Sequence, residues 1–351
     1  MTQEGKYIYG FISTKEQKNF GFIGIEQEDV YFSPYEDIAA VVSNSGNSPL
    51  IKFDSLPREA LLSNLAIYQM VIEKVMKSHH IIPMKFGTMI QSEEDLKKIL
   101  KKGYDRINTS LKKMENKIEL DVVALWSNLE PVLNEIAEKE EIKRLKEEAL
   151  TKSAEKVFEI KINVGKTVKA LLDKKREKLA FQLLSVLKKE AEDHRCHDIM
   201  DDTMIMNMAF LINKDRGEIF EARIDQLDKQ YNGSVNFRIV GPLPPYSFTT
   251  LEMKKVEFGE VNKAREVLGL GEEATISEIK GAYREMSKRF HPDKYPGDLK
   301  AQKRFEKMTK AYQILNDYCH EDRCSFKEAD VREWIDVRES VVSGQWTVNS
   351  G

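Results

Sequence analysis

The chain has 351 residues, of which 41% are hydrophobic and 32% charged, with a formal net charge of −3. This length points to two or three domains with packed cores, and charges of both signs interspersed at near balance argue against strong nucleic-acid binding. No apolar run reaches membrane-spanning length, and Met1-Thr2-Gln3-Glu4-Gly5-Lys6 lacks a signal-peptide pattern, so no membrane partner is expected.

Tyr7–Ile12 reads as a β-strand that begins almost at the N-terminus. Phe20–Ile25 carries two glycines and reads as a strand or a turn. Val30-Tyr31-Phe32 and Ile38–Val42 read as further strands, with Ser33-Pro34 between them and a loop over Ser43–Pro49. Pro57 opens a long helix whose stripe is Leu61, Leu65, Tyr68, Ile72, Val75 and Met76. His79-His80 ends it, where positive charge is favourable. Ile81–Phe86 is a strand interrupted by Pro83, hence an edge strand or a strand start. Ser92 and Asp95 form a capping box ahead of Leu96, Ile99, Leu100, Tyr104, Ile107 and Leu111, and Ile118–Trp126 is a strand with partial alternation. The order predicts an α+β fold for residues 1–127, a ferredoxin-like module with helices on one face of an antiparallel sheet.

Residues 130–192 are dense in Lys and Glu, with apolar Ile136, Ile142, Leu145, Val157, Ile160, Val164, Val168, Leu171, Leu179, Leu183 and Leu187 at helical spacing, and read as long exposed helices forming a hairpin. Thr203–Ile212 is a strand, Gly217–Tyr231 a helix and Val235–Val240 a strand. Together they make a second, helix-rich α+β module over 128–258. It ends in Gly241-Pro242-Leu243-Pro244-Pro245-Tyr246-Ser247-Phe248, whose three prolines force a stiff, extended segment that Tyr246 and Phe248 can anchor. With Tyr7-Ile8-Tyr9-Gly10, Ile82-Pro83-Met84-Lys85-Phe86-Gly87-Thr88 and Asn207-Met208-Ala209-Phe210-Leu211, this octet resembles the GvpL/GvpF gas vesicle protein family over residues 6–250. The resemblance implies a two-module α+β body and an accessory role in gas vesicle formation through contact with the hydrophobic shell subunit and other gas vesicle proteins. Pro242-Leu243-Pro244 stands where many members carry an aromatic before Pro-Pro-Tyr.

The next segment is helical. Asn262–Leu268 is a short helix stopped at Gly269 and Gly271. Ile276, Ile279, Tyr283, Met286 and Phe290 form the stripe of a second helix, opened by a Thr275/Glu278 capping box. Lys280, Arg284 and Lys288 make a basic ridge on another face. Pro292 ends this helix by His291, Tyr295-Pro296-Gly297 is loop chemistry, and Asp298 caps a third helix with Ala301, Phe305, Met308, Tyr312 and Leu315 inward. With His291-Pro292-Asp293-Lys294 between the two longer helices, residues 262–318 resemble a J-domain of the DnaJ family, within a domain that spans 259–321. The resemblance implies docking of a DnaK-type chaperone and stimulation of its ATP hydrolysis, with His291, Pro292 and Asp293 essential and Lys280, Arg284 and Lys288 assisting. Ala264 and Arg265 stand where many J-domains carry aromatics. Residues 262–317 hold twelve Lys/Arg and nine Asp/Glu, hence 12 − 9 = +3, with Glu285 diluting the ridge. The tail, 322–351, offers Phe326, Val331, Trp334 and Ile335 on a short helix.

No catalytic chemistry emerges. Gly165-Lys166-Thr167 lacks the glycine a phosphate loop needs five positions earlier, where Ile160 stands. His194, Cys196 and His197 with Cys319, His320 and Cys324 fit no common zinc spacing, and three scattered cysteines suit a reducing cytoplasm. The expectation is a non-enzymatic adaptor without metal or cofactor, in the cytoplasm or at the gas vesicle. It would join a shell-subunit-binding body to a chaperone-recruiting module; the alternative is a J-domain co-chaperone or scaffold for an unrelated client.

Overall fold

A computed structural model describes residues 5–45, 56–255, 257–290, 298–319, 323–332 and 335–340. They fall into two compact units, one from the described residues within 1–75, 84–112 and 251–340, the other from those within 76–83 and 113–250.

The first unit begins with β1 (Lys6–Ile12), β2 (Asn19–Phe22), β3 (Asp29–Tyr35) and β4 (Ile38–Asn44), joined antiparallel in the order β2-β3-β4-β1. All seven residues of β1 are buried. A strand covered on both faces loses polar alternation, which explains its unbroken apolar reading. Tyr9 is the polar fixture of this core: its hydroxyl meets Ser43 Oγ at 3.0 Å and accepts from Ile25 N at 2.9 Å, while its ring stacks on Tyr68. Ser33-Pro34 does not separate two strands as expected. β3 runs through it, with Pro34 opposite Ala39, and the chain turns at Glu36, where φ is 53°. Proline is tolerated because β2 pairs β3 only from Asp29 to Tyr31, so its missing N–H faces no neighbouring strand.

The helices α1 (Arg58–Met76) and α2 (Glu93–Lys113) flank two short strands, β5 (Ile81–Pro83) and β6 (Met89–Ile90). β5 stops at Pro83, earlier than Phe86, and β6 pairs with β1. Ser92 caps α2, its Oγ accepting from Asp95 N at 3.1 Å, and Leu96, Ile99, Leu100, Ile107 and Leu111 are buried. α1 ends at Met76, before the histidine pair. His80 is no charged helix terminus either: burial lowers its pKa, and Glu115 only partly opposes this.

In the second unit β7 (Lys117–Trp126) is central in an antiparallel sheet of order β10-β7-β9-β8. Its companions are β8 (Asp193–Cys196), β9 (Met204–Asn213) and β10 (Val235–Leu243). The Lys/Glu-rich stretch is α3 (Glu130–Ala137), α4 (Glu140–Leu150) and the 34-residue α5 (Ala154–Leu187). Leu172, Leu183 and Leu187 of α5 join Phe220, Ile224 and Leu227 of α6 (Gly217–Tyr231) over Leu120, Val122, Phe210 and Ile212 of the sheet.

The remainder of the first unit comprises β11 (Leu251–Lys255), α7 (Phe258–Val267), β12 (Glu273–Thr275), α8 (Ile276–Phe290) and α9 (Leu299–Tyr318). It ends with β13 (Arg323–Ser325), α10 (Glu328–Arg332) and β14 (Ile335–Glu339). Ile335 therefore opens a strand paired with β11 instead of continuing the tail helix, because β11 offers it an open edge. Cys319 and Cys324, expected as thiols, form a disulfide across the α9–β13 connection, and Cys196 on β8 is free.

Candidate functional site

The helical module is built by local signals. Glu278 Oε2 accepts from Thr275 N at 2.7 Å, and Glu278 N donates back to Thr275 Oγ1 at 3.1 Å, so the capping box closes in both directions. Thr275→Ala is expected to cost about 1 kcal/mol, visible as faster amide exchange confined to the first turn of α8. Asp298 caps α9, accepting from Lys300 N at 2.8 Å and Ala301 N at 3.3 Å. Ile279, Met308, Ala311, Leu315 and Tyr318 are buried with Val261 and Ala264 of α7 and with Leu268 just past its end, and Tyr283 stacks on Tyr312 with centroids 4.3 Å apart.

The two departures from the usual first helix have structural roles. Ala264 is buried between α7 and its neighbours, where its small side chain permits close approach. Arg265 closes the helix end, Nη1 donating to Leu270 O at 2.8 Å and Nη2 to Asn262 Oδ1 at 2.8 Å.

With the apolar stripe turned inward, Lys280, Arg284 and Lys288 are all exposed on α8, and Glu285 is exposed with them. Three cations at four-residue steps give a positive strip about two turns long, suited to an acidic surface. His291, Pro292 and Asp293 lie outside the described residues.

A second cluster lies in the other unit, around the proline-rich octet. Gly241 has a φ of 147°, and a Cβ there would lie 2.6 Å from Leu120 Cδ2 and 2.9 Å from Glu119 O, so only glycine fits. The Gly241–Pro242 bond is cis. The octet is extended only through Pro244; Phe248 N and Thr249 N then both donate to Pro245 O, forming a tight turn. Pro244, Pro245 and Phe248 are buried, Tyr246 is half-buried, and the Arg195 guanidinium sits 5.2 Å from the Phe248 ring centroid.

What pins this turn is a residue that pattern reading passes over. Ser247 N donates to Glu119 Oε2 at 2.8 Å and Ser247 Oγ to Glu119 Oε1 at 2.7 Å. Glu119 is 1% exposed. Burial pushes its carboxyl up to about 8, the Ser247 bonds oppose this, and the adjacent Asp121 reinforces it. Asp121 is raised too, first by burial, with His197 and the bond to Glu119 pulling back. His197 Nε2 is 3.4 Å from Ser247 Oγ. With both its N–H and its hydroxyl committed to the Glu119 carboxyl, Ser247 fastens the turn to β7. Two acidic residues at alternate positions in an otherwise apolar strand are the local signal for it.

Fold and site together define a class: an α+β body of two units that carries a J-type helical module with an exposed basic ridge. The chain belongs to the GvpL/GvpF family of gas vesicle synthesis proteins, whose model matches residues 5–250, and a DnaJ domain model matches residues 254–323. It is 26% identical over 246 residues to gas vesicle protein F of a Streptomyces species, covering 69% of this chain and 98% of the relative. Gas vesicle protein F1 of Halobacterium salinarum is 23% identical over 255 residues, covering 71% and 95%. The chaperone protein DnaJ of Chlamydia felis is 48% identical over 52 residues, 15% of this chain and only 13% of that protein. The crystal structure of GvpF from Anabaena sp. PCC7120 superposes with a TM-score of 0.58 at 21% identity, covering 70% of this chain and 98% of that one. That of GvpF from Microcystis aeruginosa gives 0.54 at 20% identity, with the same coverage.

Proposed function

We propose that this protein is a non-enzymatic gas vesicle assembly adaptor of the cytoplasm. Its GvpL/GvpF body binds the hydrophobic shell subunit, and its J-type module recruits a DnaK-type chaperone to that subunit. The observation that carries this reading is the joining of the two folds on one chain, with the α8 ridge of Lys280, Arg284 and Lys288 left exposed. A shell protein assembled from apolar strands is prone to aggregate before assembly, so an ATP-driven chaperone held beside it meets a chemical need. Linkage on one chain raises the effective concentration of chaperone at the client.

The test is ATP hydrolysis by a DnaK-type chaperone from the same cell, with the wild-type chain or His291→Gln, with and without the shell subunit. Stimulation is expected to require His291 and to grow when shell subunit is added. Stimulation indifferent to the shell subunit would remove the client assignment, and none by the wild type would remove the chaperone assignment.

A further inference from the structure

We propose that β11 and β14 form a two-stranded stalk that seats the J-type module on α2 and holds it in one orientation on the N-terminal sheet. The GvpL/GvpF match ends at residue 250 and the DnaJ match at 323, so β14 lies outside both families' matched regions. The strands pair antiparallel from Leu251↔Glu339 to Lys255↔Ile335. The chain thus enters the module from Lys255 and leaves it into the residue opposite. Only residues 256–257 separate β11 from α7, and only 333–334 separate α10 from β14. A module tied at one end by a free linker moves independently. One tied at both ends, through connections this short, has lost most of that freedom.

The stalk is fastened along its length. Arg106 Nη1 of α2 donates to Val337 O at 2.8 Å, and Ser110 Oγ to Glu339 Oε1 at 3.3 Å. Lys85 N donates to Leu251 O at 2.7 Å. Glu252 takes Arg338 at 2.7 Å and Lys85 at 3.4 Å. Leu251 and Val337 are buried. Gly103 explains how the strand comes so close. A glycine inside a helix costs about 1 kcal/mol against alanine, yet one sits in the middle of α2. A Cβ there would lie 3.3 Å from Val337 Cγ2 and 3.2 Å from Ile107 Cδ1. The missing side chain is the socket for Val337. The consequence, which rests on the proposed function, is that a chaperone docked on α8 arrives at a fixed place relative to whatever the N-terminal sheet unit holds.

The test is a spin-label distance measurement between Lys97→Cys on α2 and Arg289→Cys on α8, both exposed, in a chain carrying Cys196→Ser. One narrow distance distribution is expected. Gly103→Leu should broaden it at least about two-fold. Termination after residue 334, which leaves α2 untouched, should do the same and covers the case in which Gly103→Leu disturbs the helix. A broad distribution in the full-length chain, or an unchanged narrow one after stalk removal, overturns the proposal. Stimulation of chaperone ATPase should stay within about two-fold in both variants, because the charged face of α8 is untouched. Its absence in every chain, including the parent, would overturn the chaperone assignment while the distances still decide the docking.

Discussion

Glu119→Gln is expected to stabilise the second unit against unfolding at about pH 9 and to weaken it slightly at about pH 5. Glu119 releases its proton near 4.5 in the unfolded chain and near 8 in the folded one. Between those values the unfolded state binds fewer protons, so the unfolding free energy falls as pH rises and levels off above the folded value. The stability lost over that window is on the order of 3 to 5 kcal/mol. Asp121 is shifted in the same direction, so it adds to the trend. Glutamine is neutral throughout and escapes the loss, but one of the two Ser247 donors loses its acceptor, at about 1 kcal/mol. The variant should therefore be about 1 kcal/mol less stable in acid and about 2 to 4 kcal/mol more stable in base. Urea unfolding followed through buried Trp126, in a chain carrying Trp334→Phe and Trp346→Phe, reads this directly. A difference between variant and parent that did not change with pH would sink the account.

The same residue shows where reading the sequence ends. The helical module was legible because its instructions are local. Thr275 and Glu278 are three residues apart, Asp298 sits next to the helix it caps, and Ile279, Met308 and Leu315 lie on simple stripes that turn inward. The octet was legible as a special segment, since prolines limit the backbone wherever they stand. Its anchor was not: Ser247 and Glu119 are 128 residues apart, so the two acids Glu119 and Asp121 mark the strand as unusual without naming the segment that Glu119 holds. β7 was recognisable as a strand, but its neighbours β9 and β10 come from beyond the long helices, and apolar runs do not encode which strands pair. β14 was hidden for a related reason. A short segment forms a strand only when a partner edge is offered, and β11 lies on the far side of the helical module.

Replacing Lys280, Arg284 and Lys288 together by glutamate is expected to cut chaperone stimulation at low salt by about 100-fold or more, with little change in folding. All three side chains are exposed, so no core contact is lost. Their mutual repulsion at four-residue steps is replaced by an equal repulsion of opposite sign, which leaves the helix nearly where it was. The one intrinsic cost falls on Lys288 in the last turn of α8, where reversal opposes the helix dipole by about 0.5 kcal/mol. An acidic docking surface, by contrast, would meet three repulsive charges in place of three attractive ones, a penalty of several kcal/mol. Stimulation by the parent should fall as salt is raised, because exposed charges beyond about 10 Å are screened at 0.1 M, and the reversed chain should show no such dependence. Lys300, Lys303 and Lys307 on α9 supply the control, being exposed at comparable spacing and giving the same change in net charge when reversed. If that reversal abolished stimulation equally, the net charge of the module and not the α8 ridge would govern docking.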